Sequence, residues 1–248
     1  MIRFSTILIS CLIFLAGIQF ATAISVATPK ENPSSKGFYQ TTIEAWRNAG
    51  ALVGWLTITE VGQWRYLQNK PEGVDALAVF LWRKYIPNAM ASLPKPSVPF
   101  AIGLGGSGLT NDGLKELARF QKLQALDISH TKVTDAGLTQ LSVMKNLRSL
   151  DMGASSLTDA GLRNLAEVKS LQRLYFGATS VTDAGISTLA GLENLRVLYL
   201  YKTQLTDDGL RQLAEFTNLQ RLLVSNTRVT DEGVAELLQR LPNLKIIR

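Results

Sequence analysis

Val133-Thr134-Asp135-Ala136-Gly137-Leu138 returns 24 residues later as Leu157-Thr158-Asp159-Ala160-Gly161-Leu162, and again as Val181-Thr182-Asp183-Ala184-Gly185-Ile186. Working outward at that spacing places cuts before Leu109, Val133, Leu157, Val181, Leu205 and Val229. Apolar columns then run through the array. Leu117, Leu141, Leu165, Leu189, Leu213 and Leu237 form one; Leu126, Leu150, Leu174, Leu198 and Leu222 form another. A repeat of this length cannot bury its own apolar face, so such columns predict a solenoid in which each coil covers its neighbours.

Each unit divides by periodicity. Leu147, Leu150 and Met152 embed an alternating strand pattern, whereas Leu138 and Leu141 stand at helical spacing. The unit therefore reads as strand, turn, helix, turn. Thr134 or Asp135, and their counterparts, supply an oxygen for the free N–H groups of the helix start. One carboxylate per coil makes no oxygen cage, so the recurring Asp is read as capping rather than as calcium binding. The Gly column from Gly113 to Gly233 is read as allowing close backbone approach between coils. The hydroxyl column Ser107, Thr131, Ser155, Thr179, Thr203 and Thr227 follows each strand, where such groups satisfy turn backbone.

These segments resemble leucine-rich repeats, and their Leu-Thr-Asp-x-Gly-Leu core is similar to the cysteine-containing subfamily, with Thr or Ser where that subfamily has Cys or Asn. The bacterial 24-residue variants are the nearer likeness. The resemblance spans roughly residues 99–248 and implies an α/β solenoid, parallel strands concave and helices convex, of about six 24-residue repeats. It further implies recognition of a protein. Related F-box adaptors select substrates for ubiquitin ligases, but this chain shows no F-box.

Upstream, Met1-Ile2-Arg3 and the apolar run from Phe4 to Phe20 read as a secretory signal, with cleavage expected after Ala23. An uncleaved anchor helix is the alternative. Residues 24–35 read as a linker, and residues 36–98 as a small N-terminal α+β cap for the open end of the core. In that cap we expect a helix over Thr41–Asn48, a hairpin from Leu52–Thr59 and Gln63–Leu67, and a second helix over Val74–Lys84. All four tryptophans, Trp46, Trp55, Trp64 and Trp82, fall there. Core packing accounts for them; stacking on sugars by an independent ligand-binding domain is the alternative.

Composition excludes several chemistries. The one cysteine, Cys11, lies in the signal segment, and His130 is the sole histidine, so neither a cysteine-rich zinc site nor a multi-histidine metal site can be built. No cofactor is expected. The chain carries +6, or +5 once Arg3 leaves with the signal, and no run of Lys/Arg interleaved with aromatics marks a nucleic-acid surface. Gly103-Leu104-Gly105-Gly106-Ser107-Gly108 matches a dinucleotide fingerprint, with Asp127 downstream. The repeat register absorbs it, however, because Ile102 and Leu104 align with Leu126 and Ile128, and the helix cap signal Thr110-Asn111-Asp112 comes too late to meet a pyrophosphate. A hydrolase reading would need a nucleophile and an orienting acid converging on His130, which the register instead places at the strand exit on the rim as a surface histidine. The expectation is a non-enzyme.

Alternate strand positions face the concave sheet, where repeat proteins bind. The candidate partner-binding residues there are Asp127, Asp151, Arg173, Tyr175, Tyr199, Tyr201, Lys202 and Arg221, with Tyr and Arg the types that interfaces favour. The expected partner is a protein or peptide, with a glycan as alternative, met outside the cytoplasm in the periplasm, at the cell surface or in the medium. No nucleic acid, and no membrane beyond the signal segment, is expected. A structural or assembly component of the cell envelope is the competing reading. The last strand leaves an open edge at Lys245 to Arg248, where pairing into a homodimer is also expected to be open.

Overall fold

The structure, a computed structural model, describes residues 36–59, 64–73 and 75–248. The expected signal segment 1–23 and linker 24–35 lie outside the described residues.

One ten-stranded sheet runs through the molecule in the order β10-β9-β8-β7-β6-β5-β4-β3-β1-β2. Seven short parallel strands belong to the repeats: β4 (Phe100–Gly103), β5 (Leu123–Asp127), β6 (Ser149–Asp151), β7 (Arg173–Tyr175), β8 (Val197–Tyr199), β9 (Arg221–Leu223) and β10 (Lys245–Ile247). Between them return α2 (Asn111–Leu117), a 3₁₀ helix (Gly137–Val143), α3 (Asp159–Leu165), α4 (Asp183–Thr188), α5 (Asp207–Leu213) and α6 (Asp231–Arg240). Both leucine columns lie at no more than 2% exposure in one continuous core. Burying each leucine removes apolar surface worth about 1.5–3 kcal/mol from water, which is what holds coils too short to fold alone. Gly103 pairs with Asp127 and Ile102 with Leu126, so the dinucleotide-like stretch is the strand of the first coil. Its helix opens only at Thr110, whose side chain accepts from Gly113 N–H.

The threonine caps α3, α4 and α5, accepting from the N–H two residues on, while the aspartate does something else. Asp135 reaches the next coil, where Thr158 N–H donates to Oδ1 at 3.0 Å and Thr158 Oγ1 to Oδ2 at 2.6 Å. Asp159 repeats this with Thr182, Asp183 with Thr206 and Asp207 with Thr230. Asn111 starts the series through its amide, accepting from Thr134 N–H and donating to Thr134 Oγ1. The glycines make room for this link: a Cβ on Gly161, Gly185, Gly209 or Gly233 would overlap the carboxylate arriving from the preceding coil. Five of the six hydroxyls in the column serve turns as expected, with Thr179 Oγ1 donating to Phe176 O at 2.7 Å and Thr203 Oγ1 to Leu200 O at 2.7 Å, whereas Ser107 Oγ in the first coil is buried without a partner among the described residues.

At the N-terminal end, α1 (Lys36–Asn48) sets Trp46, fully buried, against Phe80, Phe100 and Phe120, ring centroids 4.2, 5.7 and 5.2 Å away. Trp46 Nε1 donates to Pro94 O and Trp82 Nε1 to Ala49 O. The expected hairpin forms from β1 (Leu52–Ile58) and β2 (Trp64–Leu67), paired antiparallel. The helix expected over Val74–Lys84 is corrected. Leu77–Leu81 is strand β3, antiparallel to β1 and parallel to β4. Its run of apolar residues is buried on both faces, Phe80 in the main core and Val79 against Leu56, Ala101 and Ala125. Covering both faces erases the alternation that marks a half-buried strand.

Candidate functional site

Parallel register carries one concave row across the sheet, Gly103, Asp127, Asp151, Tyr175, Tyr199 and Leu223. Nearer the strand starts, Ser149, Arg173, Val197 and Arg221 form a second row. Four candidate residues, Asp127, Asp151, Tyr175 and Tyr199, thus stand side by side, with Arg173 and Arg221 flanking the tyrosines. Tyr201 lies across Gly177, where a Cβ would overlap its ring. Lys202 is apart from this row. It sits in the turn after β8 at φ 53°, exposed, with its N–H donating to Ser225 O.

The concave sheet is roofed rather than open. Trp64 and Tyr66 alternate with Arg65 on β2 and reach over from the cap. Trp64 packs on the cluster of Tyr175, Val197 and Tyr199, as Leu223 also does, and its Nε1 donates to Ser149 Oγ at 3.0 Å. Tyr175 and Tyr199, expected to face solvent, are therefore only 6% exposed each, their rings edge to face at 5.0 Å. Tyr66 stays 41% exposed while its hydroxyl donates toward Asp127 Oδ2 at 3.5 Å. Trp64 and Tyr66 are the residues that sequence reasoning missed. Two aromatics at i and i+2 on either side of Arg65 are the available signal, since an alternating pair marks one face that needs a neighbour.

Beneath this roof the electrostatics are those of two carboxylates short of counter-charge. Asp127 Oδ1 accepts from Ser129 N–H at 2.9 Å and Ser129 Oγ at 2.7 Å, whereas Asp151 Oδ1 accepts from Gly153 N–H at 2.9 Å. Burial, followed by the charge of Asp127, pushes the Asp151 carboxyl up to about 8. Burial also raises Asp127, against the hydrogen bonds from Ser129. Loss of water around the hydroxyl, reinforced by the two carboxylates, raises Tyr66. Burial raises Tyr175 and Tyr199, with Arg173 and Arg221 respectively opposing it.

His130 is exposed in the turn after β5 at φ 52°, its N–H donating to Gly153 O. Among the described residues no three His, Cys, Asp or Glu side chains gather where a metal ion could be held. Nor is any described helix long and apolar enough to cross a membrane.

Residues 121–142 match a family model described as Leucine Rich repeat. It folds as a leucine-rich-repeat solenoid. An internalin of Listeria monocytogenes str. 4b F2365 is similar at 24% identity and a TM-score of 0.55, covering 68% of this chain and 46% of its own. The present chain therefore spans less than half of that internalin. Internalin C2 of the same strain gives 25% identity and a TM-score of 0.43, over 59% of this chain and 69% of its own. No curated protein matches the sequence. The likeness to the first internalin is one of fold.

Proposed function

We propose that this chain is a non-enzymatic recognition module acting outside the cytoplasm, which binds a protein partner at the roofed concave sheet. The observation that carries the reading is the row Asp127, Asp151, Tyr175 and Tyr199, held under Trp64 and Tyr66 by contacts that span the cap and four coils. Two neighbouring half-buried carboxylates disfavour their own ionisation and weaken the fold at neutral pH, so their presence is better explained by a partner than by stability. Tyrosine, arginine and tryptophan around them are the types that dominate binding energy. The roof narrows what can enter. A folded surface would meet the rims, and an extended segment or a protruding side chain would reach the row itself.

The test is capture from envelope extract with the full chain beside Asp151→Asn and Tyr201→Ala, each checked for folding by circular dichroism and thermal melting. A partner retained by the wild type and lost by the folded variants supports the concave row. The same catch from all three would sink it.

A further inference from the structure

The coils end and begin with opposite charge. At the helix starts stand Asp112, Asp135, Asp159, Asp183, Asp207 and Asp231. At the other rim, where each chain segment turns into its strand, the balance is reversed. Lys122, Lys145 and Lys169 lie in those turns, and Glu193 alone among the corresponding positions is acidic. Lysines just past a helix C-terminus complement its dipole, and that accounts for them without a partner.

Four arginines are not explained that way. Arg148 and Arg196 immediately precede β6 and β8, and both are exposed. Arg173 and Arg221 open β7 and β9, and both are half-buried. The register sets Arg173 and Arg221 on either side of Val197, two strands apart. Arg148 and Arg196 are likewise separated by one intervening strand. Each pair is thus spaced by roughly 9.4–9.8 Å, two strand intervals. None of the four takes part in an ion pair among the described residues; the ion pairs there are made by Arg211, Arg240 and Arg248. Four like charges at one edge with no counter-ion among the described residues add nothing to the packing of the coils, and guanidinium is the group suited to planar, two-pronged contact with carboxylates.

We propose that this arginine edge docks an acidic, extended peptide segment of a protein partner, running along the solenoid axis with a carboxylate side chain at every third residue. The proposal rests on the protein-binding reading above and adds the chemistry of the partner. In polyproline II conformation, residues i and i+3 share a face about 9.3 Å apart, matching two strand intervals. A β-strand alternates faces and offers no such match. Single-stranded nucleic acid would need exposed rings to stack upon, and the tyrosines beside the arginines, Tyr175 and Tyr199, are covered by Trp64.

The experiment is fluorescence anisotropy with the full chain and a labelled peptide of repeated Glu-Pro-Pro units, beside the same peptide with Gln for Glu. We expect binding of the Glu peptide alone, weakening with salt, and a loss of about tenfold or more in Arg148→Gln/Arg196→Gln and in Arg173→Gln/Arg221→Gln. Lys132→Gln/Arg228→Gln on the opposite rim should bind as the wild type does. Equal binding of the two peptides, wild-type affinity in both arginine variants, or binding of a DNA oligonucleotide or phosphatidylglycerol vesicles but not of the peptide would each overturn the proposal. Partner capture that depends on Asp151 and Tyr201, found alongside any of these, would leave the concave row standing and remove only its acidic ligand.

Discussion

Asp127 and Asp151 are direct partners across β5 and β6, and Tyr66 reaches over from another part of the chain to place its hydroxyl at the first of them. Both carboxyls are raised by burial, Asp151 to about 8. A group whose folded pKa is raised contributes fully below its unfolded value and loses that contribution as pH climbs toward the folded one. Stability from this pair should therefore fall between about pH 4 and pH 8. Asp151→Asn removes the ionisation and keeps the acceptor for Gly153 N–H, so its melting temperature should exceed the wild type's at pH 8 and approach it at pH 4. Melting curves across that range would show a constant gap if the pair were not responsible.

Asp207 has the opposite sign. Hydrogen bonds from the Thr230 backbone and hydroxyl lower its pKa, so the stability it supplies is present above the ordinary carboxylate range and is lost as pH falls through its depressed value. Acid melts of Asp207→Asn, which retains an acceptor for the Thr230 N–H, should be shallower below pH 4 than those of the wild type. Parallel slopes would contradict the link.

The bond from coil to coil can be isolated with Asp183 and Gly209. Asp183→Ala leaves Thr206 N–H and Oγ1 without their acceptor and should cost about 1–2 kcal/mol, with Asp183→Asn costing less, because Asn111 already makes the same contact with Thr134. Gly209→Ala drives a methyl group into the Asp183 carboxylate and should cost about 1–3 kcal/mol. The second cost should shrink in the Asp183→Ala background. Urea denaturation of the four proteins in a double-mutant cycle reads that coupling, and simple additivity would reject it.

The turn after each strand holds one residue in the left-handed region: His130, Ala154, Ala178, Lys202 and Asn226, with φ between 50° and 56°. The first coil places Gly106 there, at φ 67°. Alanine resists this conformation by about 1 kcal/mol, so Ala154→Gly and Ala178→Gly should each stabilise the protein by about 0.5–1 kcal/mol in urea melts. Destabilisation by either would show that the methyl group makes a contact worth more than the strain.

Trp64→Ala should uncover Tyr175 and Tyr199. We expect faster amide exchange in β7 and β8 and a rise in tyrosine accessibility to iodination, with the leucine core unchanged because Trp64 packs on the opposite side of the sheet from it. Unaltered tyrosine accessibility would mean that something other than Trp64 shields the row.

Much of this architecture is legible in the sequence because a solenoid repeats its local physics. Leu126, Leu150 and Leu174 announce themselves by spacing, and Thr158 by standing before a helix. Two things escape for physical reasons. Leu77–Leu81 carries no alternation once both its faces are buried. The meeting of Trp64 with Ser149, 85 positions apart, depends on how far the sheet curls, and no local pattern records curvature. The concave candidates were found as a row of outward positions, but that Tyr175 and Tyr199 would form the floor of a covered cleft follows only from that curl.

The aspartate reaching forward and the threonine receiving it give each coil one plug and one socket of fixed pattern. In the first coil Asn111 supplies the plug with an amide, and Asp231 is gripped by Arg248. A cassette of 24 residues can on that logic be removed from the middle, or copied into it, with every coupling still mated. The length of the concave face, and with it the span of any ligand, is then adjustable in whole steps without redesigning the coils on either side.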